Sequence, residues 1–234
     1  MTAVQHASPP VVDRKTWLRE VETLRAREKA HTREGDAIAA ARRRLPMTEV
    51  DGSTTLTGAE GPTSILDMFG EHDQLLTIKH MWHEGRGFES QCPVCTMTTT
   101  NVETAVTYLD ARGVAFAIWC QGPYDEFAPF REFMGYQAPW YAVEEPEHAA
   151  AVPGISDGWI NAYLRVGDRV FLTYSTQDRG TEVTMTPYRL LDLTVFGRQE
   201  PWEDSPEGWP KNPNPFEFIV RDGRPLAQWA RLGR

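Results

Sequence analysis

The tetrad Cys92-Pro93-Val94-Cys95 constrains this chain more than any other feature, because of what flanks it. Leu75 to Trp82 is a mostly apolar run of strand length, and a glycine-containing loop, Gly85 to Gly87, carries the chain on to Cys92. Past Cys95 the period changes. Val102, Ala105, Val106 and Leu109 fall at i, i+3, i+4 and i+7, the core face of an amphipathic helix that Gly113 stops. The cysteine pair is therefore expected at a helix N-terminus, where unpaired N–H groups and the positive end of the dipole favour a thiolate. Pro93 fits there, since the first helical turn has no use for its missing N–H. In such a place Cys92 is the candidate nucleophile, with a pKa below that of free cysteine, and Cys95 the thiol that resolves a mixed disulfide.

The remaining elements can be read outward from the pair. Val114 to Cys120 is a continuous apolar run suited to the buried centre of a sheet. Tyr124 to Met134 reads as a helix closed by Gly135, and Gly167-Asp168 marks a hairpin between Ile160–Val166 and Val170–Ser175. A second hairpin signal, Asp51-Gly52, lies within Met47 to Thr57, and Ser64 to Phe69 has room for one helical turn. Strand, cysteine pair, helix, strand, helix and hairpin in that order predict an α/β fold: a thioredoxin-like central mixed sheet flanked by helices. Upstream, Asp13 is a natural N-cap for a charged helical arm with an apolar stripe at Trp17, Val21 and Leu24. Gly35 is expected to break this arm before a second piece, Asp36 to Arg44, ended by Pro46. The Pro-rich stretch beyond Gly197 reads as an irregular wrap with a short closing helix at Leu226 to Leu232. The expected division is an arm at 1–46, the thioredoxin-like domain at 47–200 and a C-terminal extension at 201–234.

Other residues compete for a role. His80 and His83 precede the pair, and His80, His83, Cys92 and Cys95 are all zinc-ligand types, so a metal site is an alternative to redox chemistry. Against it, two histidines three apart along a strand point to opposite faces. No cofactor is otherwise expected, since three cysteines are too few for a four-thiolate cluster. Cys120, at a strand's end, is a candidate third thiol or simply a buried residue. Trp82, Trp119, Trp140 and Pro93 are candidates to line a substrate site, although core packing is the commoner fate of tryptophan.

A net charge of -9 argues against nucleic acid as a partner. The charge is uneven: Asp13 to Pro46 holds ten Lys or Arg against six Asp or Glu, +4, so the remainder carries -13. A basic arm on an acidic body reads as a docking feature, and a homodimer through the arm is expected. No run reaches the roughly 18 apolar residues of a membrane span. Met1 to Pro10 lacks the basic and apolar regions of a signal peptide, and three cysteines make no disulfide framework, so a cytoplasmic location is expected.

Several motifs together resemble a known family. Leu76 to Trp82 ahead of the CPVC tetrad, Met134-Gly135-Tyr136 with Pro139-Trp140, Tyr174-Ser175-Thr176 with Arg179-Gly180, and Leu190-Leu191-Asp192-Leu193-Thr194 with Gly197-Arg198 are similar, in this order, to the DUF899 family. Arg42-Arg43-Arg44-Leu45-Pro46-Met47 matches its N-terminal pattern. The resemblance implies a thioredoxin fold and a dithiol–disulfide oxidoreductase with Cys92 and Cys95 as the redox pair. The expected substrate is then a disulfide or small peroxide, with a separate reductant. Asp192 is expected in a salt bridge to an arginine. One departure is plain: thioredoxins place a cis-proline before the strand facing the active site, whereas here Asp157-Gly158 precedes the strand and the nearest prolines are Pro139 and Pro153. A non-catalytic binding or structural module of the same fold is the competing reading.

Overall fold

The computed structural model describes residues 8–143, 148, 151–152, 159–214 and 216–233. Helix α1 (Arg14–Arg42) starts at Asp13, whose carboxylate accepts the Lys15 and Thr16 N–H groups. It does not break at Gly35. A lone glycine in a helix costs only about 1 kcal/mol, and flanking alanines and charged residues are strong enough formers to carry the helix through. No residue of α1 is buried.

Strands β1 (Thr48–Val50), β2 (Thr55–Gly58), β3 (Gly61–Ser64), β4 (Gln74–His80), β5 (Val114–Gln121), β6 (Trp140–Val143), β7 (Ile160–Val166) and β8 (Arg169–Thr176) make one sheet in the order β1-β8-β7-β4-β5-β6-β2-β3. Strands β4, β5 and β6 are parallel, β7 runs antiparallel to β4, and β8 returns antiparallel to β7. Helices α2 (Pro93–Glu103) and α3 (Val106–Asp110) cross over from β4 to β5, and α4 (Tyr124–Met134) connects β5 to β6. The block β5-β4-β7-β8 with its crossover helix is the thioredoxin-like arrangement expected from the order of elements.

Local signals were partly overruled. Asp51-Gly52 is not a hairpin: β1 pairs with β8, and β2 pairs with β3 and β6. Strands β1 and β2 therefore sit near opposite edges of the sheet, although Val50 and Thr55 are five residues apart. Five residues reach at most about 18 Å, while six interstrand steps in a flat sheet span about 29 Å. The sheet must curl until its two edges approach. Inside the curl lies one core, with Leu56, Phe69, Trp119 and Tyr163. A second core, with Ile118, Phe127, Phe130 and Trp140, fills the space beneath α4 and α2. The single amphipathic helix expected after Cys95 is two helices, because the chain turns at Thr104-Ala105 and leaves Ala105 exposed. Helix α4 ends where expected, with Gly135 left-handed at φ 67°.

After β8 comes a 3-10 stretch (Asp178–Thr184), then α5 (Thr186–Leu191). Asp178 turns at φ 49°. The turn is so tight that a side chain at Gly180 would collide with the Thr176 hydroxyl, which accounts for glycine in the Arg179-Gly180 pair. The C-terminal extension adds a two-stranded ribbon, β9 (Val220–Arg221) and β10 (Arg224–Pro225), and a closing 3-10 helix, Leu226–Leu232. Pro153 and Asp157-Gly158 fall outside the described residues.

Candidate functional site

Cys92 caps α2: its Sγ accepts the Cys95 N–H at 3.4 Å, and its carbonyl accepts the Thr96 N–H at 3.0 Å. Helix α2 carries four threonines in five positions, weak helix formers, and two of them compensate by bonding back. Thr96 donates to the Cys92 carbonyl and Thr100 to the Thr96 carbonyl, each at 2.8 Å. The Cys95 thiol donates to Cys92, and with the Cys95 and Val94 N–H groups this draws the Cys92 pKa down from 9.0 to about 7, against the opposing effect of burial. Cys95 moves the other way, well above 9.0, because it is the donor, is buried, and faces the Cys92 charge. Its Sγ accepts the Met81 N–H at 3.4 Å. Three cysteines are present and all are free.

The loop that delivers Cys92 is braced by a residue the sequence reading passed over. Gln91 is buried, and its Oε1 accepts the His83 N–H at 2.9 Å while its Nε2 donates to the carbonyls of His83 and Arg86 at 3.0 and 3.1 Å. One amide thereby closes residues 83–91 into a fixed turn. On its outer side Gln228 Nε2 donates to the Phe88 carbonyl at 2.7 Å, tying the C-terminal extension to the same loop. A polar residue just ahead of the first cysteine was the only available sign of this.

Cys92 opens on a cleft of about 800 Å³. Its near wall is Cys92, Pro93 and Cys95, with Ile160 at the start of β7 beside them. Its far wall comes from Arg179, Glu182 and Tyr188, and from Trp202 and Phe216 of the C-terminal extension. Of the motif residues that lacked a role, Arg179 lines this cleft, and Asp192 and Arg198 stand behind its wall. Arg198 is their hub: it grips Asp192 through two nitrogens at 2.7 and 2.8 Å, reaches Glu182 at 3.1 Å and lies 4.6 Å over the Tyr188 ring. The salt bridge expected of Asp192 is this one. Arg179 bonds the other Glu182 oxygen at 2.8 Å and stacks over Trp202 at 4.3 Å. The two arginines hold the Glu182 carboxylate below its usual pKa although its burial works the other way. Ahead of β7, where thioredoxins carry their proline, stands Trp159, whose carbonyl accepts the Lys79 N–H at 3.0 Å.

Of the proposed lining residues only Pro93 reaches this cleft. Trp119 is fully buried inside the curl, and Trp82 and Trp140 belong to the aromatic core under α4. Large apolar rings gain more from burial than a solvent-filled cleft could give them. Cys120 is fully buried in the same core, and burial raises its pKa well above the usual thiol value. His80 turns inward as well: Nδ1 meets the Thr99 hydroxyl at 3.0 Å, the ring lies 4.8 Å from Trp140, and burial with the nearby His83 lowers its pKa to about 3. Among the described residues no group of three or more His, Cys, Asp or Glu is placed to hold a metal ion.

A family model described as a bacterial protein of unknown function, DUF899, matches residues 6–215. The chain belongs to the DUF899 family. No curated protein matches this DUF899 chain in sequence. Among solved structures, it is similar to a DsbF homologue from Corynebacterium diphtheriae at 12% identity, covering 61% of this chain and 85% of that one, TM-score 0.38. A secreted Mycobacterium tuberculosis disulfide oxidoreductase homologous to E. coli DsbE is similar at 11% identity over 57% of this chain and 92% of that one, TM-score 0.39. A mutant of Xanthomonas campestris peroxiredoxin Q is similar at 9% identity over 63% and 97%, TM-score 0.43. No described helix of the DUF899 chain is long and apolar enough to cross a membrane.

Proposed function

We propose that this DUF899 member is a cytoplasmic thiol–disulfide oxidoreductase whose working pair is Cys92 and Cys95. The observation that carries this reading is the asymmetry of the pair. One thiol, drawn down to about pH 7, faces an open cleft, and a buried partner with a raised pKa stands behind it. That is the division of labour dithiol chemistry needs.

The Cys92 thiolate attacks one sulfur of a substrate disulfide; the S–S bond breaks, one half leaves as thiolate and the other stays joined to Cys92. Cys95 then gives up its proton and attacks the Cys92 sulfur, forming the Cys92–Cys95 disulfide and releasing the second half as a thiol. Two electrons pass from the protein to the substrate, and an external dithiol returns them. A small peroxide would enter the same cycle: the thiolate takes one oxygen to become a sulfenic acid, an alcohol or water leaves, and Cys95 condenses with the sulfenic acid to release water. Independently of that chemistry, we propose a homodimer joined through the basic arm.

The test pairs two substitutions in a disulfide-reduction assay driven by dithiothreitol, with small disulfides and organic hydroperoxides as substrates. Cys92→Ser is expected to abolish turnover, and Cys95→Ser to accumulate a mixed disulfide at Cys92 visible by intact mass. Turnover in both variants equal to the parent's, or no turnover by the parent with any substrate, leaves the non-catalytic module as the better account.

A further inference from the structure

Two unsatisfied features face outward from this molecule. The first is α1: 29 residues, about 43 Å long, with no buried residue and with Trp17, Leu18, Leu24 and Ile38 between 44% and 52% exposed. A helix of this length is not held by its own propensity alone; in proteins most helical stability comes from packing an amphipathic face. The second is a groove of about 960 Å³ on the β4-β7-β8 face of the sheet. Its floor includes Leu76, Ile78 and Ala162, and its banks are Val102 and Ala105 on one side and Val183 on the other. A sheet face needs a covering layer. The pieces after β8, Asp178–Thr184 and α5, are too short to run along these strands and instead pack against α2 and each other.

We infer that the groove is filled by the N-terminal arm of a second copy of this chain, and that the two copies exchange arms symmetrically. Three observations converge on that occupant. The arm's root, Arg42, Arg43, Leu45 and Met47, already borders the groove, with Arg42 over the Tyr174 ring at 4.5 Å, so each arm leaves its own body beside the site its partner would enter. The arm exposes Trp17, Leu18, Leu24 and Ile38, and the floor of the groove is apolar, so the two faces match in chemistry. Finally, strands of seven and eight residues make the groove about 25 Å long; that length of a helix about 10 Å wide offers roughly 250 Å², and two arms on two grooves remove it four times over, about 1,000 Å², the size at which a specific interface begins. The apolar stripe on a charged rod is then a helix-in-groove ligand.

The groove shares Ile78, Ile160 and Thr184 with the cleft of Cys92. An arm seated there walls the open side of that cleft, so each cysteine pair is enclosed with the help of the partner. This inference stands whether or not the pair turns over.

The experiment is light scattering on the full-length protein, with two double variants chosen at residues exposed in the single chain. Trp17→Asp with Leu24→Asp alters the arm, and Ala105→Glu with Val183→Asp puts a carboxylate on each bank. The parent is expected to have the mass of two chains. Each double variant, with unchanged circular dichroism, is expected to weaken association about 100-fold or more by forcing charge into an apolar seat. Mixing the two is expected to restore a dimer, because the bank variant's intact arm still fits the arm variant's intact groove. A monomeric parent overturns the inference. So does a bank variant that remains as dimeric as the parent, which would mean that the arms pair with each other and leave the groove alone.

Discussion

Cys92 should titrate far from an ordinary thiol. Lowering its pKa from 9.0 to about 7 favours the thiolate by about 2.7 kcal/mol, at about 1.36 kcal/mol per pKa unit. At pH 7 about half of Cys92 is then thiolate, against about 1% for a thiol at 9.0. The measurement is the rate of iodoacetamide alkylation against pH, with the Cys92 peptide followed by mass spectrometry. A midpoint near 7 is expected. The Cys95 S–H is the largest contributor, so Cys95→Ala should raise the midpoint, while Cys95→Ser, which keeps a donor, should raise it less. Because the thiolate is favoured only in the folded protein, it adds stability that is complete above about pH 9 and is lost as pH falls through about 7. The reduced parent should therefore gain stability between pH 7 and 9, and Cys92→Ala should not. A Cys92 midpoint at or above 8.5, or one indifferent to Cys95→Ala, refutes the reasoning.

Arg198→Met should destabilise the protein by about 3 kcal/mol, the low end for breaking a buried ion pair because Asp192 reaches solvent; urea denaturation would show it, and a loss under 1 kcal/mol would mean that the hub is dispensable. Gln91→Ala removes three hydrogen bonds and should cost about 2–3 kcal/mol, with the loop 83–91 losing amide-exchange protection before the strands do. His80, with a folded pKa near 3, binds fewer protons than its unfolded form with pKa 6.5, so stability falls as pH drops below 6.5. At pH 5 the loss from this residue is about 2 kcal/mol, and His80→Phe should flatten that part of the pH profile; an unchanged profile would show that His80 accepts a proton in the fold.

What could be read along the chain was whatever is decided within a few residues. Asp13 as a cap, Gly135 as a stop, Gly167-Asp168 as a turn and Cys92 at a helix start each depend on local hydrogen bonds and dihedral preferences, and each is found. The misreadings share another cause. Asp51-Gly52 has the chemistry of a tight turn, but β1 gains more by pairing with a strand some 120 residues away, where Arg169 binds Glu49 through both nitrogens at 2.8 and 2.6 Å. The three tryptophans were legible as large apolar groups with core packing as their commoner fate, but the choice between core and cleft was not, because which face of a strand is wet depends on the curl of the whole sheet. The walls of the cleft were least legible of all. Arg179, Glu182, Tyr188, Trp202 and Phe216 lie 84 or more positions beyond Cys95, and no periodicity connects residues brought together by irregular chain. Of these the family resemblance marked Arg179, without saying what it faces.

The curl has a consequence for how the chain reaches its native state. Residues 48–50 leave the ribosome some 120 residues before 170–172, their one sheet partner among the described residues, which must also form its own hairpin with β7. Long-range pairings of this kind are closed late and slowly, since the loop entropy is lost before the contacts form. During synthesis the N-terminal part of the chain therefore waits, a charged helix on an unpaired strand. The last ladder to lock is the one that begins nearest the N-terminus.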